Sequence, residues 1–347
     1  MPALSPHAAL PDRILIVRLG AIGDVVNALT VAAAIKDQNP AIQIGWMVHP
    51  LSEPLVRGNP VVDRVHAVPR KGLLQNLPAL RRELRAEGYG LVIDLQRMQK
   101  SAILARQAGA ARVLGYDRQR CKEGAWVWYN ERIPSGSPRM HMVEQYAQFV
   151  RYLGIEQPIR HGLPAPSPAD LDWLRRNLPG DAQKGAVVVH VGASKPENRW
   201  EPERYRDLVL GLLAKQDRWV LLTGGPGDRA DALATETACA SEPRFRSLVG
   251  ATSLTQLTTL LGGAELFVGC DTGPMHLAAA QGVPVLALFG PADPLRTGPY
   301  GPQHRVLRFP PAPAVGPPNS ATMAAVSSSD TLRVASEMLD LPRRETR

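Results

Sequence analysis

The sequence has 347 residues with 5% aromatic residues and a formal net charge of +8, and its length predicts two domains of roughly 150–170 residues each. Its three widely spaced cysteines fit neither a disulfide framework nor a zinc cluster, which favours a reducing, cytoplasmic compartment. Few aromatic residues argue against binding of single-stranded nucleic acid, and no stretch is apolar over the roughly 18 residues of a membrane span, so we expect no nucleic acid partner and no transmembrane segment.

The first half alternates short apolar runs with stretches of helical periodicity. The runs predict strands at 13–18, 42–48, 61–68, 90–94 and 112–115. The periodic stretches predict helices at 25–37, 79–87, 99–108 and 142–153, whereas residues 116–138 have no regular pattern. Strands that alternate with helices predict a parallel, doubly wound sheet.

Residues 158–168 contain four prolines and little apolar content, so we place the domain boundary there. The second half then starts its own sheet, with predicted strands at 185–190, 219–223, 266–268 and 283–289. Helices are expected at 203–215, 229–240, 253–261 and 330–339, the last begun by Ser328 or Ser329. The proline-rich residues 310–318 are expected to be extended or poorly ordered.

Ligands of open parallel sheets bind at the carboxyl ends of the strands, so the turns there should carry the chemistry. The first turn, residues 20–24, has glycines spaced GxxG rather than GxGxxG, which disfavours a nicotinamide dehydrogenase. Asp24 ends this turn at the start of a helix. It could act as a general base or cap the helix.

Three turns of the second half suit a nucleotide diphosphate. Residues 190–200 combine a glycine with Lys195 and Arg199, and residues 224–228 end in Asp228, within reach of ribose hydroxyls. Residues 271–276 begin a helix whose unpaired N–H groups favour phosphate. In isolation His276 fits a packed helical histidine as well as a ligand contact.

The distribution of charged residues indicates the kind of partner the protein binds, and one acidic pattern bears on metal binding. Residues 1–165 carry 21 Lys and Arg against 13 Asp and Glu, while the remainder is balanced at 19 each. The excess suits an anionic partner, such as nucleic acid, a phospholipid surface or a phosphorylated substrate, or simply arginines on solvated faces. Asp170 and Asp172 form an Asp-x-Asp pattern, but at a helix start, where acidic residues are favoured anyway, so we expect no metal.

These motifs together resemble glycosyltransferase family 9, the ADP-heptose:lipopolysaccharide heptosyltransferases. The resemblance spans roughly residues 13–340 and is carried by five segments in order: 14–25, 92–102, 199–203, 224–228 and 271–294. The family implies a GT-B fold of two Rossmann-like domains that face an interdomain cleft. The domains would be 1–163 for the acceptor and 164–328 for the nucleotide sugar, with a final helix, 329–347, packed back toward the first.

The resemblance also implies the reaction. It is metal-independent, inverting transfer of heptose from ADP-heptose to the inner core of lipopolysaccharide, a lipid A–Kdo acceptor at the cytoplasmic face of the inner membrane, with no cofactor. Asp24 matches the catalytic base. The predicted donor-binding residues are Gly192, Ala193, Ser194, Lys195, Arg199, Asp228, Thr252, Asp271, Thr272, Gly273 and His276, and the acceptor-binding residues are Arg18, Gly23, Gln96 and Lys100.

One departure from the family concerns phosphate binding. The lysine that relatives place just before the Arg-Trp pair is Asn198 here, so Lys195 or Arg199 would have to replace it. Two alternatives therefore stay open beside the heptosyltransferase. One is a GT-B transferase that uses another nucleotide sugar, and the other is a non-catalytic module that binds a nucleotide sugar or a lipid surface.

Overall fold

The computed structural model describes residues 9–71, 73–134, 136–137, 139–312 and 321–341. The chain divides into two compact units, Met1–Pro164 and Ala165–Arg347. The division lies within the proline-rich segment that the sequence predicts as a linker. No helix in the described part of the chain is long and apolar enough to cross a membrane.

In the described part of the first unit, parallel strands alternate with α-helices. The strands are β1 (Arg13–Val17), β2 (Gln43–Val48), β3 (Arg64–Ala67), β4 (Leu91–Asp94), β5 (Arg112–Tyr116) and β6 (Glu131–Ile133). The helices are α1 (Ile22–Gln38), α2 (Leu73–Ala86), α3 (Gln99–Gln107) and α4 (Met142–Tyr152). The strands lie in the order β3-β2-β1-β4-β5-β6, the order of a dinucleotide-binding Rossmann sheet.

The second unit repeats this plan. Its strands are β7 (Val187–His190), β8 (Val220–Thr223), β9 (Phe245–Ser247), β10 (Leu266–Cys270), β11 (Val285–Leu288) and β12 (Arg305–Leu307). Its helices are α5 (Pro168–Asn177), α6 (Pro202–Lys215), α7 (Arg229–Ala238), α8 (Leu254–Gly262), α9 (Gly273–Ala280), α10 (Pro294–Thr297) and α11 (Ser328–Asp340). The sheet order β12-β11-β10-β7-β8-β9 is the same order in reverse.

The central strands form where the sequence is apolar on both faces. All five residues of β10 and all four residues of β4 and β7 are buried, as expected of a sheet covered by helices on both sides. The edge strands β6, β9 and β12 each have three residues and were not expected. In particular, the segment 116–138 was expected to be irregular and contains β6.

The last helix, α11, packs within the second unit. Leu332 of α11 lies against Gly211 of α6, so closely that a Cβ on Gly211 would be 2.3 Å from the leucine side chain. The helix is capped by Ser327, whose hydroxyl accepts from the Asp330 N–H at 3.0 Å, rather than by Ser328 or Ser329. Contact of this helix with the first unit stays a prediction.

Most of the segment 310–318 lies outside the described residues.

Candidate functional site

Each sheet has one point where the strand order reverses, between β1 and β4 in the first unit and between β7 and β10 in the second. At such a point the connections leave in opposite directions and open a crevice at the carboxyl ends of the strands. Nearly all the predicted site residues lie in the turns that follow these four strands or the neighbouring β8.

In the first unit, Asp24 is the third residue of α1 and does not cap it. The N-cap is Ala21, which makes no side-chain capping bond, so the capping interpretation of Asp24 is wrong. Its carboxylate instead forms an ion pair with the guanidinium of Arg18, the residue after β1. The Asp24 side chain is 35% exposed, so it is held in place yet open to a reactant.

Arg18 is buried and held on two sides. Its Nη1 donates to the carbonyl of Leu95 at 3.0 Å, just beyond β4, and the guanidinium lies 6.0 Å from the ring centroid of Tyr146. Burial opposes its charge, but Tyr146 and Asp24 favour the charged form, and the net effect raises the pKa of Arg18. A permanent positive charge therefore stands beside the Asp24 carboxylate.

Asp94, at the end of β4, is a residue of this edge that the predictions missed. It is fully buried and accepts hydrogen bonds from the Ser101 hydroxyl at 2.8 Å, the Tyr129 hydroxyl at 2.9 Å and the Gln96 N–H at 2.8 Å. Burial raises the pKa of Asp94 to about 6, although these hydrogen bonds act against the rise. Its position as a carboxylate ending a buried strand was the signal available in the sequence.

The other predicted acceptor residues differ in what they offer. The side-chain amide oxygen of Gln96, Oε1, accepts from the Leu19 N–H at 3.1 Å, which ties the turn after β4 to the turn after β1. Gly23 is buried in α1, whereas Lys100 is exposed in the first turn of α3. Lys100 is therefore the exposed cation of this group, and Gln96 shapes the backbone.

In the second unit, the turn after β7 requires a glycine. Gly192 has φ of +83°, and a Cβ there would lie 2.2 Å from the carboxyl carbon of Asp228. Asp228 in turn accepts from the Gly225 N–H at 2.8 Å and thereby closes the turn after β8. The two predicted turns thus pack directly against each other, and the missing side chain of Gly192 leaves room for the Asp228 carboxyl group.

The two candidate cations for the phosphates play different parts. The Arg199 Nε donates to the Ala193 carbonyl at 3.1 Å, and its guanidinium pairs with Asp231 at 3.2 Å and with Asp228 at 3.7 Å. Lys195 is exposed, as is Ser194 beside it. Arg199 therefore holds the loop in shape, while Lys195 extends its ammonium group into solvent.

The turn after β10 leads into α9. Thr272 is the N-cap but makes no side-chain capping bond, because its hydroxyl donates to the Cys270 carbonyl at 3.2 Å. The side chain of His276, one turn on, is buried with Nε2 3.9 Å from Asp271 Oδ1. A helix N-terminus without a side-chain cap leaves first-turn N–H groups for an anion, and Gly273 removes side-chain bulk there.

Thr252 and His190 border these turns. Thr252 is half-buried, and the Gly250 N–H two residues earlier donates to the Gly224 carbonyl at 2.9 Å, which brings this loop beside the turn after β8. His190 ends β7, and burial lowers its pKa to about 4, so it is neutral at physiological pH. Its Nδ1 lies 3.0 Å from the Thr223 hydroxyl oxygen.

The described residues contain no group of three or more His, Cys, Asp or Glu side chains arranged for a metal ion. Asp170 lies in the first turn of α5, as expected, and its carboxylate accepts from the hydroxyls of Ser167 at 2.6 Å and Thr255 at 3.0 Å. Chemistry without a metal stays a prediction.

The sequence of this chain is similar to those of a known protein family. A profile of glycosyltransferase family 9 (heptosyltransferase) matches residues 77–321. Lipopolysaccharide heptosyltransferase 1 of Escherichia coli is 30% identical over 329 residues, which cover 91% of this chain and 99% of that protein.

Two solved structures extend the likeness to three dimensions. The E. coli heptosyltransferase WaaC with ADP aligns with a TM-score of 0.76 at 26% identity, over 94% of this chain and 99% of that one. WaaC with ADP-2-deoxy-2-fluoro heptose aligns with a TM-score of 0.73 at 27% identity and the same two coverages. The predicted fold class is thereby confirmed, and the chain belongs to glycosyltransferase family 9, the heptosyltransferases.

Proposed function

We propose that this glycosyltransferase moves heptose from ADP-heptose to the inner core of lipopolysaccharide, on a lipid A–Kdo acceptor at the cytoplasmic face of the inner membrane. The observation that carries the proposal is the match of the family profile to a chain that holds a base candidate at one sheet edge and an open helix N-terminus at the other. The relative from E. coli is named a lipopolysaccharide heptosyltransferase, and WaaC was solved with ADP and with ADP-2-deoxy-2-fluoro heptose.

The first unit supplies the base. Asp24 takes the proton of the acceptor hydroxyl as its oxygen forms a bond to the anomeric carbon of heptose, a role worth roughly 10²–10⁴-fold in rate. Arg18 orients the Asp24 carboxylate through their ion pair. Attack from the face opposite the leaving group in a single displacement inverts the anomeric configuration.

The second unit stabilises the departing ADP. As the bond between the anomeric carbon and the β-phosphate oxygen breaks, negative charge grows on the diphosphate. The backbone N–H groups at the start of α9, together with Lys195, would stabilise that charge, which is the task a metal performs in other transferases. Asp228 is assigned to the ribose hydroxyls.

Release of ADP tests the proposal. The purified protein, incubated with ADP-heptose and a heptoseless lipopolysaccharide, should release ADP, and EDTA should leave the rate unchanged if no metal takes part. ADP release from a different nucleotide sugar alone would favour the alternative donor. A rise in melting temperature with ADP-heptose, but no ADP release with any acceptor, would favour a binding module.

A further inference from the structure

A short turn of the first unit exposes apolar side chains. Between β5 and β6, residues Ala125–Trp128 form one turn of 3-10 helix, in which Val127 is 56% exposed and Trp126 half-buried. Trp128 is partly buried and packs on the hydrophobic core of the first unit, near α3 and β5. The turn therefore holds one tryptophan inward and presents Trp126 and Val127 to solvent.

Two exposed arginines clamp the Trp126 ring. The guanidinium of Arg118 lies 5.6 Å from the ring centroid and that of Arg132 lies 5.5 Å from it. Arg132 also donates to the carbonyls of Trp126 at 3.0 Å and of Tyr129 at 2.7 Å. These contacts support the conformation in which the turn presents its apolar tip. We call residues 118–132 the tryptophan turn.

The charge around the tryptophan turn is strongly positive. Residues 97–132 carry eight Lys and Arg against three Asp and Glu, but Arg112 is paired with Glu131 and Arg120 is buried, so the exposed cations of the tryptophan turn are Arg118, Lys122 and Arg132. Arg118 and Lys122 are exposed, and the Lys122 N–H donates to the Arg97 carbonyl at 2.9 Å. Arg97 follows β4, so Lys122 lies near the same edge of the sheet as Asp24.

We propose that the tryptophan turn docks the enzyme on an anionic lipid bilayer, with Val127 and Trp126 entering the headgroup region and the surrounding Arg and Lys side chains meeting lipid phosphates. Tryptophan prefers this interface because its ring is apolar and its N–H is polar. Basic residues are drawn to anionic lipid at about 1 kcal/mol each, which is roughly fivefold in affinity.

This choice of partner follows from the apolar tip. A nucleic acid or an acidic protein would use the cations but would give no reason for an exposed valine beside a clamped tryptophan. The inference deepens the proposed function, on which it rests, since a lipid-linked acceptor lies at a membrane. Binding to vesicles that contain no acceptor nevertheless tests it apart from catalysis.

The full chain should co-sediment with phosphatidylcholine vesicles that contain one third phosphatidylglycerol, and not with pure phosphatidylcholine. We expect Val127→Asp to weaken this binding by about tenfold and Arg118→Gln or Lys122→Gln by about fivefold each. Leu51→Asp, at an equally exposed apolar residue of the same unit, and Lys184→Gln in the second unit are matched controls that should bind as the unchanged chain does.

Fluorescence locates the contact. Lipids brominated in their acyl chains should quench tryptophan emission, and Trp126→Phe should reduce that quenching whereas Trp173→Phe should not. The proposal is overturned if anionic vesicles do not bind, if Val127→Asp binds as well as the unchanged chain, or if the chain binds heparin but not vesicles. None of these results bears on ADP release with a delipidated acceptor. That assay therefore tests the proposed function separately from membrane docking.

Discussion

The carboxyl edges of the two sheets share one strand order but handle charge in different ways. The first edge uses ionisable side chains, Arg18, Asp24 and Asp94, which are held by contacts between distant parts of the chain. The second uses backbone N–H groups at α9, a glycine at 192 and cations near the surface. Under the proposed function, proton transfer and diphosphate binding make opposite demands. A base needs a side chain held in one orientation, whereas a diphosphate needs accessible backbone N–H groups.

The substitution that should change the reaction rate most is at Asp24, on the first edge. Asp24→Asn should lower kcat by about 10²–10⁴-fold while the Kd for ADP-heptose stays nearly the same, because the amide cannot take the acceptor proton. The melting temperature should also fall, since Arg18 loses its charged partner. Steady-state kinetics and calorimetric titration measure the two effects.

The matched control is Asp37→Asn, at the far end of the same helix, where the carboxylate pairs with Arg160 on the surface. It should keep full activity. If Asp24→Asn retains nearly all of kcat, Asp24 is a structural partner of Arg18 rather than the base.

Asp94 gives the next largest effect. Its pKa is about 6 in the folded chain and 3.8 as an ordinary aspartate, so protonation favours the folded state. The resulting stabilisation is complete below about pH 4 and is lost as the pH rises through 6, a change of about 3 kcal/mol. The Asp94→Asn variant has no titrating group at this position, so it should not lose this stability as the pH rises. Its unfolding free energy minus that of the unchanged chain should therefore increase from low to high pH over this range. Urea unfolding at pH 4.5 and pH 7 checks this, and an equal difference at the two pH values would contradict it.

Gly192→Ala tests whether the turn after β7, on the second edge, needs a glycine. The positive φ and the Asp228 carboxyl group leave no room for a methyl group, so we expect a loss of about 1–3 kcal/mol in unfolding free energy and weaker ADP binding. Gly227→Ala is the control, because a Cβ there meets nothing within 4 Å. If both variants unfold and bind ADP alike, the conformation at Gly192 is not essential.

The smallest effect distinguishes the two cations. Lys195→Ala should weaken ADP binding by about tenfold with little change in stability, because an exposed ammonium group contributes one charge-assisted contact. Lys184→Ala, an exposed lysine of the same unit, should change neither quantity. Unaltered ADP affinity in Lys195→Ala would assign the diphosphate to Arg199, whose loss would also release the Ala193 carbonyl and two carboxylates.

The central elements of both units could be predicted from the sequence because their physical cause is local. A run such as Leu266–Cys270 is apolar at every position except glycine, which indicates a strand covered on both faces. The turn positions followed from the same runs, since parallel strands bring their carboxyl ends to one edge. The edge strands could not be found this way: β6 has the sequence Glu-Arg-Ile, without a run or a clear alternation.

The site was predictable in position but not in its supporting contacts. Arg18 meets the Leu95 carbonyl 77 residues away, and Asp94 meets Tyr129 35 residues away, and no local pattern encodes such pairs. The same holds for Asp24, where helix-start preference favoured a cap but an ion pair formed instead. Local propensity therefore placed the turns that carry the candidate residues, and tertiary contacts decided which of their atoms are held.

The position of α11 has a consequence for synthesis on the ribosome. Synthesis of the first unit is complete at Pro164. The second unit lacks the helix that covers α6 until residue 340 is made. At 5–20 residues per second, these two events are separated by roughly 10–35 s. In the later part of that interval, after α6 ends at Lys215, the Gly211 face of α6 lacks its Leu332 partner, so the second unit stays incomplete on the nascent chain for longer than the first.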